Sequence, residues 1–272
     1  MILRLHWLRW LKIPLLTVLG CLLVLAACQG FLIYPAPRYP AQMQEHLPRE
    51  VTPLPCTTDQ GAQTSWLLTQ GDPRQVQTWW VAFGGNGMAA LQWCDLLAPR
   101  LSRGEGFLLV DYPGYGLNEG SCTPGRLLRA SEAAVAALAA RLGTTPEDLG
   151  PRLSLLGHSL GAAVALQHAA AHPPRRLVLC APFTSMVAMG HRALFWPCGQ
   201  LIWHRFDNRD RLDDLARLPT PPSVLILHGT DDRLIPPTMG RELAAAHPAF
   251  VTFVEVPGAD HNSLLEAVPD RL

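Results

Sequence analysis

Short apolar runs alternate along this chain with longer stretches whose apolar residues recur at helical spacing. Ser65–Thr69, Val76–Phe83, Phe107–Asp111, Leu153–Leu156, Arg176–Cys180, Ser223–His228 and Phe250–Val256 are short and rich in Val, Ile, Leu or aromatic residues. Turn residues bound them, which reads as buried strands. Helices are expected between them over about 89–101, 126–141, 162–171, 238–247 and 262–272. Strands alternating with helices imply right-handed crossovers and an α/β fold, a doubly wound and mostly parallel sheet. In such sheets ligands bind outside the carboxyl ends of the strands. Phe183–Pro222, aromatic and broken by prolines, interrupts the alternation once.

The first segment departs from this pattern. Arg4, Arg9 and Lys12 precede an apolar run from Ile13 to Ala27, and Leu25-Ala26-Ala27-Cys28 closes it. A cationic flank, an apolar stretch and small residues before a boundary describe an export signal. The closing four residues are similar to a bacterial lipoprotein box, in which Cys28 would be lipidated. Apolar character resumes at Phe31–Tyr34, so an uncleaved membrane span of about 20 residues is the competing expectation. Both place the protein in a bacterial cell envelope, membrane-anchored, with its body outside the cytoplasm. The expected organisation is a signal or anchor over 1–28, a Pro-rich tether over 29–60 and one globular domain over 61–272.

Composition narrows this further. With 272 residues and 49% hydrophobic content the chain can bury one sizeable core. Lys+Arg and Asp+Glu number 22 each, so charge provides no ground for a nucleic-acid partner. Beyond Cys21 and Cys28 there remain Cys56, Cys94, Cys122, Cys180 and Cys198, an odd number that leaves at least one thiol outside any intrachain disulfide. No Cys/His spacing resembles a zinc site, and no metal or organic cofactor is expected.

The candidate chemistry lies at predicted strand ends. Gly157-His158-Ser159-Leu160-Gly161 sits between a strand and a helix, the context that makes G-x-S-x-G a nucleophile elbow. Glycines on both sides permit the tight turn, Ser159 Oγ projects from the sheet edge, and the Leu160 N–H faces a developing oxyanion. A serine hydroxyl needs a base, itself oriented by an acid. His228-Gly229-Thr230-Asp231-Asp232 follows one downstream strand and Gly258-Ala259-Asp260-His261 the last. The order Ser159, Asp232, His261 supplies nucleophile, acid and base. Asp231 is the neighbouring candidate acid, Asp260 reads as a turn residue, and His247 reads as a helix-end residue. Gly84-Gly85-Asn86-Gly87 follows the Val76–Phe83 strand, and the Asn86 N–H is the candidate second oxyanion donor.

These motifs together resemble the α/β-hydrolase superfamily. The chain is most similar to the group of abhydrolase-domain proteins with an N-terminal membrane anchor, which includes acyl-protein thioesterases. Gly85-Asn86, Asp111-Tyr112-Pro113-Gly114-Tyr115-Gly116, the elbow, Ala181-Pro182-Phe183-Thr184-Ser185, Arg205-Phe206-Asp207-Asn208, the stretch from His228 to Pro236, and Gly258-Ala259-Asp260-His261-Asn262 carry the resemblance. It favours Asp232 over Asp231. It also implies that about 183–222 is a short helical cap, with Phe183, Met186, Phe195, Trp196 and Trp203 lining a substrate pocket. Gly84 stands where the group usually has histidine. The expected activity is hydrolysis of a carboxylic ester or thioester of a small or lipid-like acyl substrate through a Ser159 acyl-enzyme. A serine peptidase or amidase on the same scaffold, and a catalytically silent envelope binding protein, are the alternatives.

Overall fold

The computed structural model describes residues 6–40, 42–43, 47–193 and 198–272. Eight strands form one sheet in the order β1-β2-β4-β3-β5-β6-β7-β8. They are β1 Val51–Thr58, β2 Gly61–Leu68, β3 Thr78–Phe83, β4 Glu105–Val110, β5 Leu153–His158, β6 Arg176–Cys180, β7 Ser223–Gly229 and β8 Val251–Val256. β1 and β2 run antiparallel to their neighbours and the remaining strands run parallel. Every residue of β5 is buried, as a central strand covered on both faces requires.

The described helices are α1 His6–Ile33, α2 Cys94–Leu97, α3 Pro124–Leu142, α4 Pro146–Leu149, α5 Leu160–Ala171, α6 Met186–Ala193, α7 Asn208–Ala216, α8 Pro237–Ala246 and α9 Leu264–Ala267. One core layer packs Leu127, Leu138, Leu166, Leu212 and Leu243 of α3, α5, α7 and α8 against one face of the sheet. The other sets Trp93, Leu97, Leu101, Leu264 and Leu265 against the opposite face. From β3 the chain passes to β4 on one side and then to β5 on the other, so the topological switch lies between β3 and β5. Phe83 pairs with Gly157 there, which sets the loop after β3 beside the turn after β5.

Three expectations need correction. The stretch expected as a free tether over 29–60 is largely docked on the body. Tyr34 is buried, the Gly116 N–H donates to Pro37 O, and 51–58 is the edge strand β1. Prolines hide this strand in the sequence, yet Pro53 and Pro55 share one parity on an edge strand, where alternate N–H groups face outward. The helix expected over 89–101 is a 3₁₀–α–3₁₀ succession spanning Ala90–Arg103. The closing helix is only Leu264–Ala267, because Val268 precedes Pro269 and is steered out of helical geometry.

Within the expected cap, α6 stands over the switch region, whereas α7 buries Leu212 and Leu215 in the core layer it shares with α5. Asp207 caps α7 by accepting from the Arg209 and Asp210 N–H groups. Phe195 and Trp196 lie outside the described residues.

Candidate active site

β5 ends at His158 and α5 starts at Leu160, which leaves Ser159 alone to reverse the chain. It does so at φ 55° and ψ −116°, a conformation that costs an L residue about 1–3 kcal/mol. Close contact dictates the flanking glycines. A Cβ on Gly157 would lie 2.3 Å from Gly161 O, and one on Gly161 would lie 2.0 Å from Phe83 O and 2.6 Å from Gly84 O. The elbow therefore presses directly on the end of β3, where the candidate oxyanion loop begins.

That loop is held from below. The Tyr112 hydroxyl donates to Gly84 O at 2.7 Å, and the Tyr115 hydroxyl donates to Asn86 O. Met88 N–H donates to Gly85 O at 3.1 Å and closes the turn. Gly84 itself has little room for a side chain, since a Cβ there would meet Met88 O at 3.0 Å. Two buried tyrosines thus fix the carbonyls of Gly84 and Asn86, on either side of Gly85. Below them, Asp111 accepts from Tyr39 Oη at 2.7 Å, Trp66 Nε1 at 2.9 Å and Ala90 N at 2.8 Å. Burial pushes its carboxyl up, against the pull of those three donors. The Asn86 and Leu160 N–H groups donate to no acceptor among the described residues. Both residues line an apolar pocket that also holds Ser159.

The loops after β7 and β8 meet through further backbone bonds. Thr230 N–H donates to Val256 O and Asp231 N–H to Ala259 O, at 3.1 and 3.0 Å. Gly229 makes this approach possible, as a Cβ there would sit 2.1 Å from Ala259 O. The result brings His261 Nδ1 to 2.7 Å from Asp232 Oδ2. Nδ1–H donates to the carboxylate, so Nε2 carries the lone pair of the neutral ring.

Asp232 is almost fully buried and well supplied with donors. Its Oδ1 accepts from Leu234 N at 3.0 Å and Ile235 N at 2.8 Å, and Oδ2 lies 3.4 Å from His228 Nε2. Burial raises its carboxyl, but the bonds from His228, His261 and Ile235 outweigh that and hold it well below the usual carboxylate range. Asp231 is exposed and accepts only from the Thr230 hydroxyl, at 3.0 Å. Asp260 accepts from Asn262 N, Ser263 N and Ser263 Oγ, closing its own turn. His247 pairs with Asp213 at 3.0 Å, far along the chain from the elbow.

Ser159, His158 and His261 line one cavity of about 650 Å³, together with Asn86, Asp95 and Glu266. Among the described residues no hydrogen bond joins Ser159 Oγ to His261; such bonds commonly tighten only when substrate arrives. Phe183 and Met186 border the smaller pocket beside Ser159. Trp203 does not. Its side chain is 69% exposed, and its backbone N–H donates instead to Gln29 Oε1 at 2.6 Å.

Sequence reading overlooks two histidines. His158 points away from the serine, but its Nε2–H donates to His261 O at 3.1 Å and so props the loop that carries the imidazole. Burial, and then the neighbouring His261, lower its pKa to about 4, which keeps it neutral. His228 Nε2–H donates to Ile235 O at 2.8 Å and stands behind Asp232. Only the position of each histidine at a strand's carboxyl end could have signalled a role.

The eight-stranded, mostly parallel sheet, the elbow and the strand-end loops form an α/β-hydrolase fold, and the chain resembles the α/β-hydrolase superfamily over part of its length. The model of the "Alpha/beta hydrolase family" matches residues 80–206. Among curated proteins the chain is 35% identical over 190 residues to an uncharacterised protein of Mycobacterium tuberculosis, covering 66% of this chain and 64% of that one. It is 32% identical over 154 residues to alpha/beta hydrolase domain-containing protein 17B of Homo sapiens, covering 57% of this chain and 49% of the other. The match thus spans only about half to two thirds of these relatives. Among solved structures, an alpha-beta hydrolase from Vibrio vulnificus superposes with a TM-score of 0.70 at 17% identity, covering 89% of each chain. A Pyrococcus furiosus esterase does so with a TM-score of 0.66 at 15% identity, covering 86% of this chain and 92% of that one.

Proposed function

We propose that this chain is a membrane-tethered serine hydrolase that cleaves carboxylic ester or thioester bonds through an acyl-enzyme on Ser159. One observation carries the reading. Ser159, at φ 55°, and His261, with Nδ1 2.7 Å from the Asp232 carboxylate, face the same cavity. In the first half-reaction His261 Nε2 takes the proton from Ser159 Oγ as the oxygen attacks the substrate carbonyl. The resulting oxyanion accepts from the Leu160 and Asn86 N–H groups, each such donor being worth about 10²–10³ in rate. Collapse of the tetrahedral intermediate expels the alcohol or thiol, which receives the proton from His261. Water, deprotonated by the same nitrogen, then releases the acid and restores the serine. Asp232 holds the ring in the required tautomer and stabilises it when charged.

Two features refine the substrate and the setting. The large cavity has Asp95 and Glu266 on its wall and no Lys or Arg among its lining residues. That electrostatic environment favours a neutral or cationic leaving group over a phosphate. α1 offers 22 residues, Lys12–Ile33, long and apolar enough by length and composition to cross a bilayer. Of the residues that cleavage ahead of Cys28 would remove, Ala26 is buried and Leu22 lies against α6, contacts that favour a retained anchor.

A fluorophosphonate probe tests the chemistry. Wild-type protein should label, Ser159→Ala should not, and absence of labelling in folded wild type would remove the acyl-enzyme. The intact mass of protein recovered from membranes tests the anchor: the full chain is expected, and a diacylated chain beginning at Cys28 would replace it with the lipoprotein.

A further inference from the structure

Beside the polar cavity, two apolar hollows run from Ser159 toward the N-terminal helix. The inner one, about 180 Å³, is bordered by Ser159, Leu160 and Phe183. The outer one, about 250 Å³, reaches Leu22 and Ala26 of α1. Leu32, Ile33, Met186 and Met189 line both, so the two hollows are contiguous across a shared wall formed by α1 and α6. Taken together they fall within the range of about 300–1,000 Å³ usual for ligand pockets. Among the described residues Gln29 is the only polar side chain on the outer hollow, and its amide is already committed to Ala26 O, Leu201 O and Trp203 N. No other described side chain lining the outer hollow offers a partner to a polar ligand.

The chemistry of the wall identifies the occupant. A bare apolar groove could seat many things, but this one ends at the hydroxyl assigned as nucleophile. A long acyl chain satisfies both ends, with its methylenes between α1 and α6 and its carbonyl carbon at Ser159 Oγ. We propose that α1, besides anchoring the protein, is one wall of the groove that seats the acyl chain of the substrate. The proposal rests on the serine-hydrolase reading above. Its physical logic is continuity. Leu16, Leu23, Val24, Phe31 and Leu32 lie exposed along α1, so the helix that meets lipid also borders the groove. The chain reaches the serine without crossing water. Methionines at 186 and 189 suit such a wall because an unbranched thioether side chain adapts to a flexible ligand.

The test uses the full-length protein in phosphatidylcholine vesicles. Leu22→Trp blocks the outer hollow and Met189→Trp the shared wall, and each is assayed on p-nitrophenyl palmitate and p-nitrophenyl butyrate. Each plug should lower kcat/KM for the palmitate by about tenfold more than for the butyrate, the effect of withholding roughly two methylenes from an apolar site. Equal losses on both esters would overturn the groove and leave the hydrolase intact. A second readout does not depend on turnover. Ser159→Ala protein is irradiated with a diazirine-bearing palmitate, and crosslinks should fall on peptides spanning 22–33 and 186–193. Crosslinks confined to other segments would also overturn it. Inactivity toward every ester with crosslinks in the groove would refute the hydrolase reading while the groove stood.

Discussion

At the carboxyl ends of β7 and β8, Asp232 gathers donors from Leu234, Ile235 and His261, with His228 close behind. Where α1 meets α6, the outer hollow has among its described residues a single polar side chain, Gln29, amid aliphatic and thioether groups. The two regions converge on Ser159 yet are held by different forces. A proton relay needs atoms placed to within about 0.5 Å, which only directional bonds on rigid elements supply. Seating a hydrocarbon chain needs area and adaptability, for which directionless packing suffices. On the proposed reading, specificity and catalysis can therefore be altered separately in this molecule.

The largest effect expected from breaking the directional side is at Asp232. Asp232→Asn preserves volume but removes the charge and the tautomer control, so kcat should fall by about 10³–10⁴, whereas Asp231→Asn should stay near wild type. Steady-state kinetics on a soluble short-chain ester distinguishes them, and a greater loss at Asp231 would reverse the assignment. Next come Tyr112→Phe and Tyr115→Phe, which release Gly84 O and Asn86 O. Each should cost about tenfold in kcat with little change in KM, less than outright loss of an oxyanion donor. An effect confined to KM would make them supports for substrate binding instead.

A smaller effect concerns acid stability. Burial lowers His158 to about 4 and His168 to about 3, both below the unperturbed imidazole value. The folded state thus refuses protons that the unfolded chain accepts. Stability is complete above about pH 6.5 and declines as pH falls toward the two folded values, by about 1.4 kcal/mol per pH unit for each histidine. His168 Nδ1 lies 2.8 Å from Ser131 Oγ, and an asparagine amide can take its place. His168→Asn should remove about half of that slope in urea titrations between pH 6.5 and 4, and an unchanged slope would show that other groups govern it. The smallest effect is Trp203→Ala. An exposed side chain outside the site should leave kcat/KM for a short ester within about twofold.

What the sequence discloses divides along the same boundary. A strand that turns into a helix over one residue needs glycines at fixed offsets, so the elbow is visible as a local pattern. β6 has the extent the apolar run implies, Arg176–Cys180. Chain order puts an aspartate and a histidine after the last two strands, and their loops meet in the sheet. The supporting contacts are invisible because they join distant positions. The Tyr112 hydroxyl reaches a carbonyl 28 residues earlier, and the Gln29 amide bonds 172 residues onward. Periodicity carries no information about such pairs. β1 was obscured for another reason: Pro53 and Pro55 read as a linker unless the strand is known to lie at an edge.

The contact between Gly161 and the carbonyls of Phe83 and Gly84 has a consequence for how this protein can diverge. The elbow and the loop after β3 are wedged together without space for even a methyl group, so neither can drift while the other stays. Descendants of this chain can exchange residues along α6 and the last turns of α1 without touching that wedge, but the turn at 157–161 admits no such experimentation.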